Sequence, residues 1–123
     1  MPILKEIISE MQSELCKRKL HELYGAELEK KLDTRKPSEE ILQILKALAN
    51  PIRLWIFCLL KQIKMPVCLL VQILKLDQTL ISHHLRVLKN ANLVDIEVHG
   101  KFRFYKAKRD MLQKLLKIFL ENN

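Results

Sequence analysis

The sequence predicts a mainly α-helical fold with one small β-hairpin, preceded by a long N-terminal helical arm. Three observations carry that expectation. Glycine occurs only twice and proline four times in 123 residues, which leaves little material for long irregular loops, while the leucine, isoleucine, lysine and glutamate content favours helix. Apolar residues recur at three- and four-residue spacing through most of the chain. Only the stretch "LVDIEVHGKFRFYKAK" alternates at period two about a "GK" turn, the pattern of a hairpin, Leu93–Val98 with Phe102–Ala107.

In chain order, Leu4, Ile8, Met11 and Leu15 form one helical stripe, and Leu20, Tyr24, Leu28 and Leu32 form another after a phase slip. Gly25 weakens the middle of this region. Two such stripes against each other suit a seam between two copies of the chain, the reading preferred for so long an arm, whereas one stripe could simply cap its own domain. Pro37 disfavours helix at Lys36 and Ser38 is a natural N-cap, so residues 1–37 are expected as an arm and dimerisation extension, and 38–123 as the main domain.

In that domain a helix over about 39–49 is expected to bury Ile41, Leu42, Ile44, Leu45 and Leu48. Asn50–Pro51 stops it and starts another, with Asn50 as cap and Pro51 at the first helical position. This largely apolar second helix is the expected centre of the core. A short helix over about 66–74 leads to a tight turn at Lys75–Leu76, and Asp77 caps the helix Gln78 to Asn90. Asn92 suits the left-handed position that glycine more often takes at a helix end. After the hairpin, Asp110 is expected to cap a last helix with an apolar stripe of Met111, Leu112, Leu115, Leu116, Phe119 and Leu120.

The net charge of +8 is unevenly placed. Residues 1–38 carry eight Lys/Arg against seven Asp/Glu, whereas residues 39–123 carry fourteen against seven. A basic domain behind a nearly neutral arm points to a polyanionic partner, either nucleic acid or an acidic membrane surface, set against the plainer reading of a highly soluble basic protein. Cys16, Cys58 and Cys68 form neither a CxxC pair nor a disulfide framework. "MPILKEIISEMQ" meets acidic residues before any apolar region forms, and "LWIFCLL" is too short to span a bilayer. A reduced, cytoplasmic chain with no membrane partner is the expectation.

Helix, short helix, tight turn, longer helix and hairpin is the order of a winged helix-turn-helix. Within Gln78–Asn90, Ile81, Leu85 and Leu88 fall on one face. Gln78, Thr79, Ser82, His83, Arg86 and Lys89 remain on the other, with no carboxylate among them. A merely solvated face would mix in Glu or Asp, whereas this one suits base edges and phosphates of double-stranded DNA. Gln78, Thr79, Ser82 and His83, nearest the N-terminal end, are the candidate base readers, and Arg86 a phosphate contact. His84, turned about 100° from His83, is expected at the core margin, bonded to a neighbouring backbone carbonyl. Adjacent histidines cannot both face one metal ion, and no nucleophile or orienting acid accompanies them. In the wing, Lys101 and Arg103 are the candidate phosphate or minor-groove contacts, with Phe102 and Phe104 expected to pack inward.

"LKALANPIRLWIFCLL", "LDQTLISHHLRVLKNANLV" and "GKFRFYKA" together resemble the ArsR/SmtB family of winged-helix repressors, over roughly Ile41 to Asn123. The resemblance implies a homodimer joined through the first and last helices of the domain. It also implies a pseudo-palindromic operator, released when an inducer or oxidation alters the dimer. Metal-sensing members often carry "ELCVCDL" before the turn. Here "KMPVCLL" puts Pro66 at the first cysteine's place, keeps only Cys68, and has Leu69 for the acidic residue. The family's other frequent site needs histidine on the last helix, and "DMLQKLLKIFLENN" has none. Cys58 stands where thiol- and persulfide-sensing members carry a cysteine, but their second cysteine, on the last helix, is absent. Redox sensing through Cys58 is set against simple packing of an apolar thiol.

The leading expectation is a dimeric, sequence-specific DNA-binding repressor that uses no cofactor and no metal ion. The homodimer would form through the arm and the last helix. The alternative is a winged-helix module that docks a protein partner through its arm in a larger assembly. An enzyme has no support: there is no glycine-rich phosphate loop, plausible carboxylate pair or cofactor motif.

Overall fold

Ser38 begins the helical domain as a cap: its hydroxyl accepts the N–H of Ile41 at 3.3 Å, opening α3, Glu39–Leu48. The computed structural model describes residues 1–121 and divides just before this point into two compact units, Met1–Lys36 and a second beginning at Pro37.

The first unit contains α1 (Leu4–Ser9), α2 (Glu14–Tyr24) and a 3-10 turn, Gly25–Glu29. Ser13 accepts the N–H of Cys16 at 3.2 Å and starts α2 after a break at residues 10–13. Gly25 takes φ 55° and ψ −120°, a combination that side chains with a Cβ avoid. The chain then returns on itself. Leu4 donates to the Lys30 carbonyl and Leu32 to the Pro2 carbonyl, both at 2.9 Å. The helical pattern of Ile3–Leu32 is therefore realised as short pieces folded back together. Ile8 is buried, while Leu15 and Leu23 are each 71% exposed.

In the second unit α4 spans Pro51–Leu60, and the Asn50 side chain accepts the N–H groups of Ile52 (3.0 Å) and Arg53 (3.1 Å). Next comes α5, Val67–Leu74, closed by Lys75 in the left-handed region at φ 58°. Asp77 accepts from Thr79 at 2.9 Å and Leu80 at 3.4 Å to open α6, Gln78–Asn90. Asn92, at φ 63°, ends α6 as the sequence led one to expect. Its N–H reaches the Lys89 carbonyl and that of Leu93 reaches the Leu88 carbonyl, each at 2.9 Å, the two bonds of a Schellman motif. Leu93 and Leu88 are both buried, supplying the motif's usual apolar contact.

Strands β1 (Val94–His99) and β2 (Phe102–Ala107) pair antiparallel, with His99 opposite Phe102 and Val94 opposite Ala107. Gly100, at φ 60°, opens the two-residue turn. Helix α7, Asp110–Leu120, follows. The core unites Ile41, Ile44 and Ala47 of α3, Ile56, Phe57 and Leu60 of α4, and Leu70 and Leu74 of α5. Ile81, Leu85 and Leu88 of α6, Met111 and Leu115 of α7, and Met65, Leu93 and Val94 from the segments between complete it.

Several expectations are corrected. Ala47, three residues beyond Ile44, takes the inward position, and Leu42 and Leu45 are exposed because they lie off the Ile41–Ile44–Ala47 line. Arg109, not Asp110, precedes α7, and no side chain caps it. In the wing, Tyr105 N–H donates to the Met65 carbonyl (2.8 Å) and Met65 N–H to the Tyr105 carbonyl (2.9 Å). Tyr105 and Ala107 then pack on the core, so period two turns Phe102 and Phe104 to the opposite face.

Asn50 holds two otherwise unpaired helix N–H groups. Replacing it (Asn50→Ala) is expected to cost about 1 kcal/mol. In thermal unfolding followed by circular dichroism, Tm should fall by about 4–8 °C.

Candidate nucleic-acid interface

The exposed face of α6 is a by-product of how firmly the other face is held. Ile81, Leu85 and Leu88 are essentially inaccessible, and α6 packs on α3, α4 and α5. A helix anchored along one line must present the opposite line outward. Gln78, Thr79, His83, Arg86 and Lys89 are exposed and Ser82 half-buried, so the structure leaves these six side chains along the outer side of one helix. Lys101 lies exposed in the hairpin turn and Arg103 exposed on β2.

His84 is 6% exposed, in the core margin, but its partner differs from the expected carbonyl. Arg53 donates through Nη1 to His84 Nδ1 at 3.2 Å and through Nε to the Ala47 carbonyl at 2.7 Å. Because a guanidinium only donates, Nδ1 must accept and the imidazole keeps its proton on Nε2. Burial, then the Arg53 charge, then His83 push the His84 pKa below its ordinary value of 6.5. Arg53 was not legible as part of this arrangement: nothing in "NPIR" announces a partner 31 residues away.

A second cluster was also missed. Glu97 of β1 meets Lys64, His99 (2.7 Å) and Lys106 (3.7 Å) on the wing face that carries Phe104. The hydrogen bond from Lys64, then that from His99, holds its carboxyl well below the usual range, to about 2. Lys64 Nζ also sits 5.6 Å from the Phe104 ring centroid. Period-two alternation could have paired Glu97 with His99, but Lys64 comes from the loop before α5.

The cysteines are scattered. Cys58 is half-buried on α4, Cys68 exposed on α5 and Cys16 exposed on α2. Among the described residues, no three His, Cys, Asp or Glu side chains gather as metal ligands would. Nor is any single helix there long and apolar enough to cross a membrane.

A buried three-helix frame, a tight left-handed turn, an outward-facing helix and a two-stranded wing define a winged helix-turn-helix, the class that serves DNA-binding transcription regulators. Residues 50–95 match the family described as bacterial regulatory protein, arsR family. An uncharacterized HTH-type transcriptional regulator of Methanocaldococcus jannaschii is 37% identical over 81 residues, covering 65% of this chain and 91% of that protein. The chain belongs to the ArsR family of transcriptional regulators. Among solved structures, HlyU from Vibrio cholerae is 29% identical with TM-score 0.58, covering 72% of this chain and all of that one. The homodimeric winged helix-turn-helix DNA-binding domain of Mb0332 from Mycobacterium bovis shares the fold at 24% identity and TM-score 0.57, covering 71% of this chain and 88% of that one.

The sign of the His84 effect follows from its lowered pKa. The unfolded chain binds the proton more readily, so the contribution is complete above the unfolded value of 6.5 and is lost as pH falls through the folded value. Between about pH 7 and pH 5, the Tm of the native chain should fall more steeply than that of His84→Gln. Parallel curves would show that His84 does not couple protonation to folding.

Proposed function

We propose that the chain is a sequence-specific repressor that binds a pseudo-palindromic operator as a homodimer, without metal ion or cofactor. Gln78, Thr79, Ser82 and His83 read base edges in the major groove; Arg86 and Lys89 contact phosphates, as do Lys101 and Arg103 on the flanking backbone. The single observation behind this reading is the outer face of α6, which is exposed and carries no carboxylate. Two such helices held about 34 Å apart would enter successive major grooves.

The dimer is proposed to form through the N-terminal arm and α7. Supporting it, α3 and α7 pack together yet leave Leu42, Leu45, Leu116, Ile118, Phe119 and Leu120 exposed, an apolar load unusual for a lone domain. The Mycobacterium bovis domain of the same fold is homodimeric, which gives a two-chain assembly a precedent. Cys58, half-buried and without a second cysteine on α7, is assigned to packing.

Selection from random duplexes should recover a two-fold symmetric site. Its log affinity should fall with log salt by about 0.9 per phosphate neutralised. Combining Ser82→Ala with His83→Ala should weaken that site at least about tenfold while sparing nonspecific DNA; unchanged affinity would remove α6 from base reading. Sedimentation provides a separate check, in which Leu116→Glu with Phe119→Glu should convert a dimer into a monomer. A native chain already monomeric at micromolar concentration, with only nonspecific DNA affinity, would favour the protein-docking alternative.

A further inference from the structure

The wing tip is apolar where a merely electrostatic wing would be polar. Phe102 is 57% exposed and Val98 63% exposed, on opposite faces of the hairpin beside the Gly100–Lys101 turn. Phe102 has an aromatic neighbour behind it: its ring centroid lies 6.3 Å from that of Phe104, which in turn meets His99 edge-on at 5.3 Å. Lys64 lies over the same Phe104 ring. An exposed aromatic braced from behind costs little entropy when it inserts into a surface.

The charges around it select the surface. Lys101 and Arg103 flank Phe102 in the chain. Glu97, opposite Phe104 on the same face, is engaged by Lys64, Lys106 and His99. The tip thus offers an exposed apolar ring with Lys101 in the adjoining turn and Arg103 on the reverse face of the strand, while Glu97 on the ring's own face is ion-paired. That combination fits a nucleic-acid minor groove, with phosphates on both rims and sugar and base faces within.

We infer that Phe102, with Val98 behind the turn, is a wedge that enters the minor groove flanking the site read by α6 and partly unstacks a base step there. This rests on the DNA reading proposed above and adds to it a preference for a deformable pyrimidine–purine step beneath the wing. Arg103 and Lys101 hold the rims while the ring supplies the deformation.

The test uses the full chain and the duplex recovered by selection, carrying 2-aminopurine at successive flanking positions. Native protein should raise the fluorescence at one flanking step per half-site. Phe102→Ala should abolish that rise and weaken binding about tenfold, with its salt dependence and Tm unchanged because no charge and little packing is lost. Phe102→Trp should restore both. Lys101→Ala, in contrast, should lower the salt slope by about one unit and keep the fluorescence rise. Specific binding by the native chain with no flanking fluorescence change, or equal affinity for Phe102→Ala, overturns the wedge alone. Failure of the native chain to bind any sequence specifically overturns the reading of α6, and the wedge with it.

Discussion

The burial of one side of α6 is the constraint on which everything else depends. Ile81, Leu85 and Leu88 sit in a core built from four other helices and the start of the hairpin. Each such side chain contributes about 1.5–3 kcal/mol when fully removed from water, far more than any outward residue could gain by turning inward. The roll of the helix is therefore set by its apolar line, and the polar line has no freedom to choose its direction. Arg53 refines that roll by joining His84 to the end of α3 through the Ala47 carbonyl.

Local chemistry was legible in the sequence and distant geometry was not. Ser38, Asn50 and Asp77 cap their helices as their types and positions suggested, and Asn92 takes the left-handed place. Each depends on neighbours within a few residues, so sequence suffices. The order of elements, and with it the winged helix-turn-helix class, followed from the same local signals. Leu42 and Leu45 read as core because an apolar helix face cannot say whether its cover belongs to the same molecule. Phe102 and Phe104 read as inward because hydrophobicity alone does not select between the two faces of a hairpin. Backbone pairing of Tyr105 with Met65, 40 residues earlier, made that choice. The outward set of α6 was visible, whereas the Arg53–His84 and Lys64–Glu97 pairings join segments more than 30 residues apart.

In the second unit negative charge is kept off the outward face of α6, and one wing carboxylate, Glu97, is ion-paired. Asp77 is turned to its own backbone as a cap, and Glu97 is held by three basic groups. These two carboxylates thus serve the fold locally, within a domain whose Lys/Arg outnumber its Asp/Glu and leave a positive field. Membership of the ArsR family gives this arrangement its context.

The two backbone bonds between Met65 and Tyr105 have a mechanical meaning. They fasten the hairpin to the segment leading into α5, and Lys108 N–H donating to the Leu93 carbonyl at 2.8 Å fastens its far end beside the close of α6. Hairpin and helix are thereby tied together through backbone hydrogen bonds at two separate points. On the proposed reading, in which a duplex lies against both, a hairpin tied to the helix in this way leaves more of any mutual adjustment to the duplex, so differences in helical stiffness among sequences would become differences in residence, even at positions no side chain touches.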